Sequence, residues 1–355
     1  MVDAVPDMGR LTRDLCAVAT RAMGPAELGE TFAGAVRSCV AFDGLRVVCT
    51  NPAAALGLGS FSCWHNYDRE LLCDLVLDRY LGGDPCRPED LDRQRVAVDV
   101  IGAESGFGLR SRQTARLLAK HGASGELRSL LRDRHGVWGF LGLLRAAGGR
   151  PFGQDDIERV ARLGPALTAA IRAYVRGRPP AVAPPPPLPG VIIVGPDHRI
   201  QGISPEAHAW LEQLWMPGGS SSDWTAKPFA TELSCRTKEL AGVGITSTPL
   251  ICASASGSGR WIAVHGRRMG ADDTSDVAVV IEAARGELLL PSFCHWYELT
   301  GRERSVLERL CTGDPPRTIA KTLGVSAHTI NDHLKALYRK TGTYGRDELL
   351  AILTT

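Results

Sequence analysis

Residues 299–353, LTGRERSVLERLCTGDPPRTIAKTLGVSAHTINDHLKALYRKTGTYGRDELLAIL, admit few folds. Their own punctuation cuts them into four short amphipathic helices. Thr300 followed three residues later by Glu303 is a capping box. The helix Arg302–Cys311 puts Val306, Leu307 and Leu310 on one face, and Gly313 ends it. Asp314 is expected to cap the next helix, with Pro315 or Pro316 in its first turn and Ile319, Ala320 and Leu323 turned inward. Gly324 ends that helix, Ser326 caps the third and Gly342 ends it. In the third helix Ile330, Leu334 and Leu337 share one face. The opposite face holds His328, Asn331, Asp332, Lys335 and Arg339. A fourth helix, Arg346–Leu353, offers Leu349, Leu350 and Leu353 for packing or dimerisation. Helix, tight Gly turn, helix is the helix-turn-helix arrangement.

"LTGRE", Gly313, "IAKTLGVS", "HTINDHLKALYRKTG" and the late "RDELLA" resemble the LuxR/NarL-type DNA-binding domain, with uninterrupted spacing. The resemblance implies that the third helix enters the major groove of double-stranded DNA. By position, Asn331, Asp332 and Lys335 then sit where base edges are contacted. Ser326, His328, Thr329, Arg339 and Lys340 are placed for phosphates. The sequence departs from the family at Asn331 and Asp332, positions that often carry Lys or an apolar residue. It departs again at the two prolines of "GDPPRTIA", which affect the angle at which the second helix starts. Asp332 fits a specificity role, because a carboxylate can accept from the cytosine amino group. Residues 299–355 carry nine Lys/Arg against six Asp/Glu, so one such unit should bind DNA weakly and with strong salt dependence. A homodimer would double the contacts and read two half-sites about one helical turn apart.

The clearest break in the chain is RGRPPAVAPPPPLPG, residues 176–190. Proline neither continues a helix nor donates to a ladder, so this run reads as an extended spacer. A ligand for a proline-recognition module is the minor alternative. Before the spacer, residues 11–23 and 26–40 read as helix, Leu45–Thr50 as a short strand and Leu71–Leu81 as helix. Residues 125–175 read as strand (Glu126–Arg132), turn, strand (Val137–Arg145), loop, and a long helix from Gln154. That helix carries Ile157, Val160, Ala161, Leu163, Leu167 and Ile171 at helical spacing. Pro165 lies inside it and predicts a kink. The Gly-Val-Trp-Gly hairpin, "FLGLLRA", "RPFGQDDIE" and "ALTAAIRA" resemble the end of a GAF domain, which implies a sensory and dimerisation role.

After the spacer come a strand at Val191–Val194, a Gly-Pro-Asp turn, a strand at Ile200–Ile203 and a helix from Ser204-Pro205. "GRWIAVHGRRMG" and "DVAVVIEAA" follow as two antiparallel strands. This order resembles a PAS domain, although residues 215–245 show little of that family's pattern. PAS folds commonly hold a small molecule or a partner against the sheet.

The bulk numbers restrict function further. A net charge of +2 over 355 residues rules out a wholly basic nucleic-acid coat, so any nucleic-acid contact is local. Ten scattered cysteines include no C-x-x-C pair, so neither a zinc ribbon nor a thioredoxin motif is indicated. The chain has no apolar leader and no run of about 18 apolar residues, and reads as cytoplasmic, without membrane contact. GxGxxG, P-loop and HExxH motifs are missing, and so is a phospho-acceptor receiver pattern.

Four side signals have bland and sharp readings. Cys63 and His65 share a strand face and can meet as a catalytic or metal pair, but no orienting carboxylate or third ligand accompanies them, and a buried cysteine is the plainer reading. Cys294-His295 is weaker still. Arg112, Arg116 and Lys120 form a basic helical stripe, either a solvated face or a phosphate or partner contact. Trp210, Trp215, Trp224 and Trp261 are either core or the lining of a pocket.

The expected architecture is multidomain α+β. A GAF-like sensory/dimerisation domain (1–176), a Pro-rich linker (177–189) and a PAS-like domain (190–290) precede an all-α, four-helix LuxR-type helix-turn-helix (291–355). The expected function is transcription regulation by a dimeric, sequence-specific DNA binder whose DNA binding the N-terminal domains modulate. It is not an enzyme, and no cofactor or metal is expected. A small-molecule effector and a contact with RNA polymerase are compatible with this role. The competing reading is a ligand- or protein-binding module whose C-terminal helices serve mainly dimerisation.

Overall fold

The computed structural model describes the chain except for residues 1–6, 22–23, 51–60, 103–107, 178–185, 215–221, 243, 245–249, 254–259, 273 and 355. The first domain is built on a five-stranded antiparallel sheet. Strands β1 (Gly44–Cys49), β2 (Phe61–His65), β3 (Val98–Gly102), β4 (Ala123–Asp133) and β5 (Gly136–Ala146) lie in the order β2-β1-β5-β4-β3. Helices α1 (Met8–Ala19), α2 (Pro25–Arg37) and α6 (Gln154–Arg176) pack on one face. The other face carries α3 (Arg69–Tyr80), α4 (Pro88–Asp92) and α5 (Gly108–Lys120). The expected helices and strands of this region form, although α1 ends at Ala19 and α2 at Arg37, short of the expected 23 and 40, and residues 22–23 lie outside the described residues. α6 continues through Pro165, so the proline does not end it.

Strand alternation divides the two faces chemically. Leu127 and Leu131 join the apolar core under α6. Glu126, Arg128 and Leu130 turn to the α3–α5 side. There Glu126, fully buried, accepts from Arg46 Nε (3.2 Å), Arg128 Nε (2.7 Å) and the Tyr67 hydroxyl (3.0 Å). Arg128 Nη1 donates to both oxygens of Asp84, at 2.6 and 2.7 Å. The register slips where Leu131 faces Gly139 and Arg132 faces Val137, leaving Trp138 as an extra residue in β5. Such a bulge re-aims a side chain. Trp138 joins the α6 face, whereas its neighbour Val137 stays on the other.

The second domain repeats that topology. Strands β6 (Gly190–Val194), β7 (Ile200–Ile203), β8 (Leu250–Ala253), β9 (Trp261–Arg268) and β10 (Val277–Ala283) lie in the order β7-β6-β10-β9-β8, also antiparallel. Helices α7 (Pro205–Leu214) and α8 (Ser222–Gly242) cover one face. The segment 215–245, featureless in sequence, holds the 21-residue α8. Trp210 is fully buried in this domain's core and donates from Nε1 to the Leu188 carbonyl (2.9 Å). Trp261 belongs instead to the core shared with the first domain. Trp210 and Trp261 therefore belong to different cores. The side chains of Trp215 and Trp224 lie outside the described residues, as does most of the proline run.

α8 also packs against α3, joining the two sheet domains. Glu232 is enclosed at this junction, 3.8 Å from Arg79 Nη1. Burial pushes its carboxyl up to about 7, against the pull of Arg79, Arg46 and Arg236. A folded pKa above the ordinary 4.5 means that stability falls as pH rises from about 4.5 to about 7 and then levels off. Glu232→Gln should therefore leave stability unchanged at pH 4 and raise it by roughly 1–3 kcal/mol at pH 8. Thermal unfolding at the two pH values tests this, and equal shifts at both would contradict it.

Helix α9 (Gly286–Trp296) joins the sheets to the C-terminal helices α10 (Gly301–Cys311), α11 (Pro316–Leu323), α12 (Ala327–Thr341) and α13 (Arg346–Thr354). Residue 290 thus falls inside a helix. One continuous apolar cluster runs from Trp138 and α6 through Phe293 and Trp296 to Val306, Ile330, Leu337 and Leu353. Among the described residues no helix is long and apolar enough to cross a membrane.

Candidate nucleic-acid interface

The C-terminal unit is organised by local chemistry at its helix ends. Thr300 and Glu303 form the expected capping box, with Thr300 N donating to Glu303 Oε2 at 2.7 Å. The Asp314 cap does not form. α11 begins with Pro316 at its first position and Pro315 in the cap position, extended at ψ 155°. The residue before a proline is driven to extended backbone, so the start moves one residue along and Asp314 is left outside, 3.7 Å from Arg309. Gly324 and Gly342 end α11 and α12 in the left-handed conformation, at φ 66° and 70°. Ser326 Oγ accepts from Thr329 N at 3.1 Å and starts α12.

Ile319 and Ala320 of α11 pack with Ile330, Leu334 and Leu337 of α12 against Val306, Leu307 and Leu310. That packing fixes which side of α12 faces solvent. Ser326, His328, Asn331, Asp332, Lys335 and Arg339 are exposed, and Thr329 is half-buried with its backbone and hydroxyl on Ser326. His328 Nε2 lies 3.6 Å and Lys335 Nζ 3.8 Å from the Asp332 carboxylate. The carboxylate is therefore flanked by two basic groups one turn away on its own helix.

Lys340 stands apart from the other sequence candidates. Its Nζ donates to Glu303 Oε2 (2.7 Å) and to the Glu298 carbonyl (2.9 Å), inside the unit. Burial alone would raise the Glu303 carboxyl, but the Lys340 hydrogen bond and the Thr300 cap outweigh it and hold the carboxyl below its ordinary range. The helical wheel could place Lys340 on α12 but could not reveal Glu298 and Glu303 beside it.

The side signals resolve toward the plainer readings. Cys63 is buried in the core beside Cys49, whose thiol burial pushes well up. His65 points at α2, with Nδ1 2.6 Å from Glu30 and Nε2 2.5 Å from Arg37. Cys294 is buried, and His295 Nδ1 lies 2.9 Å from the Pro291 carbonyl. Arg112 and Arg116 are exposed, and Lys120 pairs with Asp74 at 3.0 Å. No group of three or more His, Cys, Asp or Glu is placed to hold a metal ion among the described residues.

Two capped helices joined by a left-handed glycine turn, the second with a free polar face, define a helix-turn-helix domain. Residues 297–353 match the family described as bacterial regulatory proteins, luxR family, and this C-terminal unit is a domain of that family. No curated protein matches the chain. The solved structures that align with it include two of low similarity. One, described as SdiA in complex with octanoyl-rac-glycerol, has 11% identity and a TM-score of 0.36, covering 98% of this chain and 94% of its own. The other, Escherichia coli SdiA, has 12% identity and a TM-score of 0.37, covering 98% and 96%. Scores this low carry no argument about fold or ligand.

Proposed function

We propose that the chain is a sequence-specific DNA-binding transcription regulator, acting as a homodimer whose DNA binding the two N-terminal domains modulate. The observation that carries this reading is the α12 face. Asn331, Asp332 and Lys335 are exposed together on a helix whose other side is locked into a core. Major-groove reading needs such a face. The luxR-family match over residues 297–353 supports it. In this reading Asn331 and Lys335 hydrogen-bond base edges and Asp332 selects against wrong registers. Ser326, His328, Thr329 and Arg339 contact phosphates, and Lys340 is a structural strut. The first domain is GAF-like and the second PAS-like, both sensory. The repeated strand order supports a common sensory architecture for the two. A small-molecule effector or a protein partner would supply the signal.

The test is to recover bound sites from genomic DNA with the full chain, then to measure affinity for the recovered operator. Asn331→Ala and Lys335→Ala should each lose about 1–3 kcal/mol and relax specificity at one base position. Asp332→Ala should relax specificity without uniform tightening. The competing interaction-module reading expects no specific DNA shift, and that result would replace the proposal.

A further inference from the structure

The geometry points to Glu298 as a clasp that fixes the recognition helix α12 to the first domain from its C-terminal end; the inference rests on the DNA-reading role proposed for α12. Glu298 lies two residues past the end of α9 and is one of three non-glycine residues with positive φ among the described residues, at 49°. Its side chain and its main chain face different domains. The carboxylate meets Arg172 and Arg176 from the last turns of α6, with Arg176 Nη2 2.9 Å away, and lies 3.6 Å from His135 in the β4–β5 turn. The carbonyl accepts from Lys340 Nζ of α12 at 2.9 Å. One residue thus joins the end of the first domain's longest helix to the helix that would read DNA.

The surroundings strengthen the grip. Arg176 Nε donates to the Trp296 carbonyl at 2.8 Å. The bulge residue Trp138 packs on Trp296, with ring centroids 5.0 Å apart, and Arg172 lies 5.0 Å over the Trp138 ring. Yet the junction is not fully satisfied. Arg172 Nε, Trp296 Nε1 and Arg176 Nη2 are buried donors without a hydrogen-bond partner, so Arg176 Nη2 holds Glu298 by charge alone. The Tyr80 hydroxyl and Arg236 Nε are in the same condition at the α3–α8 junction. Unsatisfied buried donors cost stability, so both junctions between domains are held by charge and apolar contact against an opposing cost. A junction held in this balanced way is where a signal in the first domain would be coupled to α12. The clasp leaves His328, Asn331, Asp332 and Lys335 exposed, so it would act on the orientation of α12 and not by covering it.

Glu298→Gln, Arg176→Gln and the double variant in the full chain test the clasp. Hydrogen exchange should rise on the order of fivefold in α9 and in the last turn of α6 for each variant, as expected for loss of a partly exposed ion pair. Affinity for the recovered operator should change at least severalfold, with the double variant changing less than the sum of the two singles. The slope of affinity against salt should stay unchanged, because no phosphate contact is removed. Lys340→Met should behave likewise; a slope reduced by about one would instead make Lys340 a phosphate contact and overturn the clasp. Unchanged exchange, or unchanged operator affinity in a chain that binds DNA, also overturns it. If the wild-type chain binds no DNA, the DNA reading itself fails, a result separate from any of these.

Discussion

Glu126→Gln is expected to destabilise the first domain by about 3–5 kcal/mol, the cost of breaking a buried ion pair by removing one partner's charge. Glu126 is fully buried, with Arg46 and Arg128 both on its carboxylate and the Tyr67 hydroxyl on the same oxygen as Arg46. Glutamine keeps the shape and loses the charge. Arg46 and Arg128 then remain buried with Asp84 as the carboxylate between them and neutrality. Water cannot compensate, because the strand above and helices α3–α5 exclude it. The effect should depend on pH. Burial alone would raise the Glu126 carboxyl, but Arg128 and Arg46 outweigh it and the carboxyl is held below its ordinary range. A depressed carboxyl contributes stability above its unfolded pKa and loses it as pH falls through the folded one. The wild type should therefore approach the variant in acid, below about pH 4. Urea unfolding at pH 7 and at acid pH measures both terms. A loss under 1 kcal/mol at pH 7 would mean that the cluster is hydrated.

The second large effect separates size from polarity at the junction. Trp296→Ala should cost about 3–5 kcal/mol, because it removes a fully buried indole packed on Trp138. Trp296→Phe should cost far less, roughly 0–1.5 kcal/mol. It keeps an aromatic ring and removes the Nε1 donor that has no partner, offsetting part of the lost volume. Differential scanning calorimetry of the full chain gives both values. A loss above about 2 kcal/mol for Trp296→Phe would contradict an unpartnered indole nitrogen.

Much of the C-terminal unit was legible from residues 299–353 because its signals are local. A capping box joins positions three apart, a left-handed glycine acts on its own turn, and the apolar stripe of Ile330, Leu334 and Leu337 repeats within one helix. Where two local signals competed, at Asp314-Pro315-Pro316, the backbone restriction of proline prevailed over the capping preference of aspartate. β2 was touched only through the strand face shared by Cys63 and His65, and β3 was missed because it is five residues long without clean alternation. α8 was missed because it is polar and contains Pro228, and because its partners are strands of its own sheet and the distant helix α3. Glu126 and Arg128 did carry a signal, two charges at alternate positions in an apolar strand, which places them on one face. What that face holds could not be read, since Arg46 and Asp84 lie 80 and 44 residues away in the chain.

The sequence by itself determined the helix-turn-helix, its caps at Thr300, Gly324, Ser326 and Gly342 though not at Asp314, and the solvent side of α12, because each depends on contacts within one or two turns. Only the tertiary structure decided that Lys340 turns inward to Glu298 and Glu303, that a bulge carries Trp138 to the α6 face, and that Glu298 joins α6 to α12. Those outcomes depend on which distant groups arrive beside a side chain, and burial then makes an unpaired charge too costly to leave in place.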